Sequence, residues 1–304
     1  MTKTLRLRAF AKINVGLKVL ARRTDGYHEL RTIYQTLALH DRLELSLATE
    51  GRGIEVTCDD PAIPAGRQNL VYGACQSWKQ ARKFRGGIRV RLEKRIPAGS
   101  GLGGGSSDAA ATLLGLEHLT GDRLDAVTRF KLAARLGSDV PLFLYGGRVL
   151  GCGRGEQVYP LVDLPRRPCL VVFPGFTVST VEAYQALDGN RSAANPPLTE
   201  GEQTFRIGSF GARSSFPQET WGPAENDFEH VVFARWPGLA RLKRRLIRAG
   251  AEIASLTGSG SAVYAVFPSA RKLMGAWRQT PAGWLAFRTR TLSRQEYQRS
   301  LFAD

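Results

Sequence analysis

Seven residues, Gly99 to Gly105, contain five glycines. They follow a strand-like stretch and open a helix-like one. Ahead of them Ile88, Val90 and Leu92 alternate with Arg89, Arg91 and Glu93, a strand that ends before Pro97. After them Ser106 to Leu119 has the alanine and leucine content of a helix, with Ser106 or Ser107 placed to cap it and Asp108 in its first turn. The loop between, Pro97-Ala98-Gly99-Ser100-Gly101-Leu102-Gly103-Gly104-Gly105-Ser106-Ser107, lets the backbone take positive φ angles and approach a ligand closely. Successive amides in such a turn, at a helix N-terminus, make a phosphate site. It is not a P-loop, because no lysine follows Gly105. Gly99, Gly101 and Gly104 satisfy the dinucleotide spacing, but the acidic residue about 20 positions on would be Asp122, just after a helix rather than at a strand end.

The remaining pattern is α+β, with strands and helices that do not alternate strictly. Ile13, Val15, Leu17 and Val19 face one side of a strand, and Lys12 and Asn14 project together from the other. A turn at Thr24-Asp25-Gly26 precedes strands near Arg31–Leu39 and at Leu43–Leu47. Helices are expected at Leu124–Leu136, closed by Gly137, from Pro141, and within Phe228–Ala249. Further strands are expected at Cys169–Phe173 and Ala262–Phe267, with a polar region between Asp188 and Gln218. Three prolines between Val158 and Pro168 suggest two domains, 1–160 and 161–304.

The balance of 43% hydrophobic and 23% charged residues excludes a disordered chain. The four cysteines form no C-x-x-C pair, which removes zinc and redox-motif readings. No run of 18 apolar residues and no signal-like N-terminus occurs, so no membrane partner and a cytoplasmic location are expected. The net charge of +16 fits a nucleic-acid or membrane partner, or simply polyanionic small substrates. Its densest cluster, Arg241, Lys243, Arg244, Arg245 and Arg248, reads as the solvated face of a helix whose other side carries Leu239, Leu242 and Leu246. No aromatic residue interrupts that cluster, so no nucleic-acid partner is expected.

Residues 97–110 resemble the phosphate loop of the galactokinase, homoserine kinase, mevalonate kinase and phosphomevalonate kinase (GHMP) superfamily. Ala11-Lys-Ile-Asn-Val-Gly-Leu17 resembles its N-terminal strand, and Leu256-Thr-Gly-Ser-Gly-Ser261 its C-terminal glycine motif. Arg22-Arg-Thr-Asp-Gly-Tyr-His-Glu-Leu30, Gly137-Ser-Asp-Val-Pro141 and Asn226-Asp-Phe-Glu229 narrow the resemblance to the 4-diphosphocytidyl-2-C-methyl-D-erythritol kinases. The departures are Thr257, where that family often has serine, and an arginine-rich C-terminal tail.

The resemblance implies a two-domain fold with its site in the cleft, and transfer of the γ-phosphate of ATP to the 2-hydroxyl of a cytidine-diphosphate-linked sugar alcohol. It implies Asp139 as base with Lys12 beside it, residues 97–107 around ATP, and Gly258, Ser259 and Gly260 shaping the site. Asn14, Tyr27, His28, Thr180 and Tyr184 are implied on the substrate, with the two tyrosines enclosing the cytosine and His28 reading its edge. Taken alone, Asp139 reads as a helix cap two residues before Pro141, Lys12 as a solvated strand lysine, and each tyrosine as a packing residue. Mg²⁺ comes with ATP, but no carboxylate cluster announces its ligands, and Ser107 is the only suggestion. A monomer or homodimer is expected. Two other readings remain: a homoserine or mevalonate type of kinase, against which the aromatic pair and His28 speak, and an inactive RNA-binding relative, against which Lys12, Asp139 and the loop speak.

Overall fold

The computed structural model describes residues 4–48, 51, 53–189, 221 and 224–303; the polar stretch expected up to Gln218 lies outside them from 190 onward. β1 (Thr4–Arg22) and β2 (His28–Ala48) form a long antiparallel hairpin, joined by the expected turn, in which Gly26 has φ 85°. The two strands expected in 31–47 are one. Where the two were expected to part, Asp41 is fully buried and accepts from the amides of Arg95 and Ile96 at 2.5 and 2.8 Å. A buried carboxylate that receives this many donors does not break a strand.

The first sheet adds β3 (Ile54–Cys58), β4 (Gly87–Glu93), β5 (Arg148–Cys152) and β6 (Gln157–Pro160). Its helical layer is α1 (Leu70–Arg82), α2 (Gly104–Thr120), α3 (Ala126–Leu136) and α4 (Leu142–Tyr145). Helix α2 starts earlier than the sequence suggested. Its cap is Gly103, with φ 73° and no side-chain cap bond, so neither serine caps it and Asp108 lies beyond its first turn.

After the proline-bearing segment 161–167 the chain enters a second sheet, β10-β7-β9-β8, built from β7 (Pro168–Phe173), β8 (Ile253–Leu256), β9 (Val263–Val266) and β10 (Leu285–Arg290). With it come α5 (Thr180–Gly189), α6 (Phe228–Arg235), α7 (Pro237–Arg248) and α8 (Ala270–Trp277). On α7, Leu239, Leu242 and Leu246 are buried and the arginines lie on the other side, as the leucine spacing requires. The chain ends in α9 (Arg294–Leu301) and β11 (Phe302–Ala303), which pairs with β1. The division at 160/161 falls in the link between the sheets, and we propose it as the domain boundary, with the tail from 294 packed on the first unit.

Midway along β1, Ala11, Ile13 and Val15 pack with Val171, Tyr264 and Val266 of the second sheet, so one strand belongs to both halves. Among the described residues no helix is long and apolar enough to cross a membrane.

Candidate active site

Bulges in β1 between Phe10 and Lys12 and between Asn14 and Leu17 turn Lys12 and Asn14 toward the start of α2. Both are buried, 2% and 1% exposed. Buried lysine needs partners. Lys12 Nζ donates to Asn14 Oδ1 at 2.7 Å and lies 3.1 Å from Asp139 Oδ2. Asp139 stands in the turn between α3 and α4, where Pro141 occupies the cap position of α4. Its other oxygen, Oδ1, accepts the Tyr34 hydroxyl at 3.0 Å. Burial and then the charge of Asp139 push the Tyr34 phenol well above its ordinary value, so it stays a protonated donor. Tyr34 was not singled out in the sequence; its strand position pairs it with Asn14 in the β1–β2 ladder.

Asn14 is a joint between the two halves. Its Oδ1 also accepts from the Gly258 amide at 2.9 Å and lies 3.2 Å from Thr257 Oγ1, while its Nδ2 donates to Thr32 Oγ1 at 2.8 Å. Thr257 Oγ1 lies 3.1 Å from the Gly101 carbonyl, so the two glycine motifs touch. Asn226 donates to the carbonyls of Leu256 and Gly258, both at 2.9 Å, and Glu229 accepts from Ser255 Oγ and the Leu256 amide. The Asn226–Glu229 motif therefore holds the 256–260 turn in place.

The glycines of the loop differ in what they avoid. A Cβ on Gly101, at φ 84°, would lie 2.1 Å from the Thr257 carbonyl oxygen, and one on Gly103, at φ 73°, 3.0 Å from Lys12 Cγ. Gly104 faces Ile96 and Asp41, and Gly105 only Leu70 at 3.7 Å. Close packing inside the protein, as well as room for a ligand, requires the first two.

Two cavities meet here. One, of about 400 Å³, is walled by the loop, by Asn69 at the cap of α1, and by Lys94, Ser106 and Asp108. The other, of about 530 Å³, is walled by Lys12, Asn14, Tyr27, His28, Thr180, Tyr184 and Ser259. Gly101 and Asp139 line both. Among the described residues no cluster of three or more His, Cys, Asp or Glu is arranged to hold a metal ion. The Ser107 hydroxyl is buried without a hydrogen-bond partner.

In the second cavity Tyr27 is 56% exposed, with the Arg154 guanidinium 4.7 Å from its ring centre. The ring stacked on Tyr184 is His28, at 4.8 Å and 10° between planes, and His28 Nε2 lies 2.8 Å from the Asp188 carboxylate. One face of Tyr184, which the resemblance implied for the cytosine, is thus taken by the imidazole. Thr180 Oγ1 and Ser259 Oγ are 3.0 Å apart, joining α5 to the 256–260 turn.

Residues 69–147 match the family model for the GHMP kinases N terminal domain. The 4-diphosphocytidyl-2-C-methyl-D-erythritol kinase of Solibacter usitatus is 46% identical over 88% of this chain and 82% of its own. That of Pelotomaculum thermopropionicum is 37% identical over 92% and 96%. A crystal structure of 4-(cytidine 5'-diphospho)-2C-methyl-D-erythritol kinase superposes with a TM-score of 0.74 at 36% identity, covering 94% of this chain and 99% of the other. With full-length relatives at this identity, the chain belongs to the 4-diphosphocytidyl-2-C-methyl-D-erythritol kinase family.

Proposed function

We infer that the chain phosphorylates the 2-hydroxyl of 4-(cytidine 5'-diphospho)-2-C-methyl-D-erythritol with ATP, giving the 2-phosphate and ADP, a step toward isoprenoid precursors by the non-mevalonate route. The observation that carries this reading is the junction of the two cavities at Gly101 and Asp139, with Lys12 alongside. A phosphoryl group passing between two bound substrates has to cross such a point.

In this reading the triphosphate takes the loop side, against residues 97–107 and the N-terminus of α2, whose first amides have no partners within the helix. The sugar alcohol takes the other side. Asp139 accepts the proton of the attacking hydroxyl as the bond to the γ-phosphorus forms and the bond from that phosphorus to the ADP oxygen breaks. Lys12 keeps the carboxylate company and stabilises charge developing on the phosphoryl oxygens. Asn14, its carbonyl oxygen engaged by Lys12 and Gly258, fixes Lys12 and offers a ligand its second amide hydrogen. Gly258, Ser259 and Gly260 shape the wall opposite the loop.

Tyr27, exposed at the mouth, gives the cytosine a face to stack on, and the His28–Tyr184 pair packs against its other side. Thr180 adds a hydroxyl. Mg²⁺ fits the unpartnered Ser107 hydroxyl and would otherwise rest on phosphate oxygens and water; when bound with ATP it neutralises phosphate charge. ATP as co-substrate points to the cytoplasm.

ADP release, followed with ATP and the cytidylyl substrate, tests the assignment. Turnover with that substrate and none with homoserine or mevalonate is expected. Turnover of homoserine or mevalonate in its place would overturn it.

A further inference from the structure

Phosphoryl transfer at the cleft does not account for where the positive charge lies. From His230 to Gln295 there are twelve lysines and arginines and one acid, Glu252, a net +11 of the chain's +16. The fold gathers much of that charge on one surface. Helices α7 and α8 lie together on the second sheet: Arg245 Nη1 donates to the Gln279 carbonyl at 2.9 Å, and the Lys272 side chain runs past Gly250. Arg241, Arg244 and Arg248 of α7, and Arg271, Lys272 and Arg278 at α8, are exposed and have no ion-pair partner among the described residues.

The other flank of α8 walls a groove of about 610 Å³. Across it stand Ala38, His40 and Arg95 of the first unit, with Met274, Arg288 and Arg290 on the second. No Asp or Glu lines the groove, although Arg95 and Arg290 have partners at its rim in Glu93 and Glu296. The His40 imidazole is lowered by burial first and then by Arg8, Arg95 and Arg42, so the field there is positive.

The sequence shows no aromatic residue within the basic cluster, but the fold supplies two. Arg288 lies 4.6 Å over the Trp277 ring, and the Trp284 ring and the Arg241 guanidinium both approach Gly238. Both tryptophans are half-buried and pack against the second core.

We propose that this groove and the adjoining α7–α8 face bind single-stranded nucleic acid. Its phosphates would run along the unpaired arginines and Lys272, with bases packing on Trp277 and Trp284. An arginine-rich strip beside aromatic platforms is the combination that holds a strand without reading its sequence. An anionic bilayer is the poorer partner: the exposed apolar side chains nearby, Ile247 and Leu285, stand singly, and a groove is concave. The site lies outside both substrate cavities, so binding does not depend on the kinase reaction.

The test uses the full chain and a fluorescein-labelled 20-nucleotide RNA of mixed sequence, with anisotropy read from 50 to 200 mM salt. Binding should weaken with a log–log slope of about 0.7 per phosphate contact. In Lys272→Glu/Arg288→Glu the slope should fall by about 1.4, with affinity down about tenfold or more at low salt. ADP release with the cytidylyl substrate should be unchanged. Arg85→Glu/Lys131→Glu carries the same charge change on exposed positions of the first unit and should bind RNA like the parent. Equal loss in both double variants would mean net charge without a site. Binding to phosphatidylglycerol vesicles without binding to RNA, or no RNA binding at 50 mM salt, would overturn the proposal.

Discussion

At Asp139 the two carboxylate oxygens face different partners, Lys12 on one side and the Tyr34 hydroxyl on the other. The lysine meets charge that develops during transfer, whereas the phenol fixes the angle at which the carboxylate meets the substrate hydroxyl. Asp139→Asn should lower kcat by about 10² to 10⁴, the range for a positioned base. Tyr34→Phe keeps the ring and removes one hydrogen bond to a charged group. Its kcat should fall about tenfold, or roughly 1.4 kcal/mol in the barrier. KM for ATP should stay near the parent value in both variants. Steady-state kinetics with each substrate varied separates the roles. A Tyr34→Phe enzyme with unchanged kcat and raised KM for both substrates would make Tyr34 a packing residue.

The reason Tyr34 escaped the sequence is instructive beside Lys12, which did not. Lys12 and Asn14 share a strand face by simple alternation, and a known motif surrounds them. Tyr34 reaches Asp139 through the register of the β1–β2 ladder and the placing of the 137–141 turn, neither of which alternation reveals. His28 was legible as a candidate, and it lines the second cavity, but its stacking on Tyr184 was not, since that needs α5 packed against the hairpin turn.

Among the elements, the loop and α2 show where glycine is obligatory. Gly101→Ala would place a methyl 2.1 Å from the Thr257 carbonyl at a positive φ, so the loop must shift or the two glycine motifs must part. ATP affinity measured by titration calorimetry should fall about 100-fold, which is about 2.7 kcal/mol. Gly105→Ala, with only Leu70 at 3.7 Å, should bind ATP normally and gain up to about 1 kcal/mol from helix propensity. Normal ATP affinity in the Gly101 variant would remove that contact from the site.

Helix α2 is also anchored by charge. Lys94 pairs with both Asp41 and Asp108 in a buried triad, Lys94 Nζ standing 2.5 Å from Asp108 Oδ2. One cation cannot fully offset two buried carboxylates. Burial first, opposed by Lys94, moves Asp108 from 3.8 up to about 7. The folded state therefore holds more protons than the unfolded one between those values, and this group's contribution to stability falls as pH rises across that interval. Asp108→Asn imitates the protonated form. Relative to the parent it should gain stability in urea melts as pH goes from about 5 to 8. A pH-independent difference would remove Asp108 from the titration. The glycine run made this helix visible, but its start at Gly104 was hidden because the serines that follow look like caps. The buried triad was hidden because Asp41 and Lys94 are remote in sequence from Asp108.

Across the whole molecule, the strands β1 and β2 pass from one core into the next, so the two cavities that meet at Gly101 and Asp139 lie beside strands shared by both cores. The α+β class and the link near residue 160 were legible from strand alternation and prolines. The return of the tail was not, since the pairing of β11 with β1 joins segments from opposite ends of the sequence, which no local pattern reveals. Beside the β11–β1 pairing and the bond from the Arg294 amide to Asp163, its attachment includes one deeply buried ring. Tyr297 is 1% exposed, its ring centre lies 5.3 Å from that of Phe10, and its hydroxyl donates to the Phe143 carbonyl at 2.6 Å. Gly146 is bare where the ring lies, for a Cβ there would sit 2.1 Å from Tyr297 Cδ1. A capping box of Ser293 and Glu296 starts the helix, and Leu301 is buried at its end.

Tyr297→Ala removes a large buried ring and leaves the Phe143 carbonyl without that donor, so about 3–5 kcal/mol of stability should be lost. Tyr297→Phe keeps the ring and should lose only about 1 kcal/mol. Urea unfolding of both variants measures the difference, with the slope m unchanged if unfolding remains one cooperative step. A lower m in Tyr297→Ala would mean the tail had already detached from a still-folded chain. Loss below about 1 kcal/mol in the alanine variant would show that the tail lies on the first unit without stabilising it. Because Phe143 lies four residues after Asp139 in the chain, residual kcat in Tyr297→Ala measured below its unfolding transition then reports whether that anchor reaches the base.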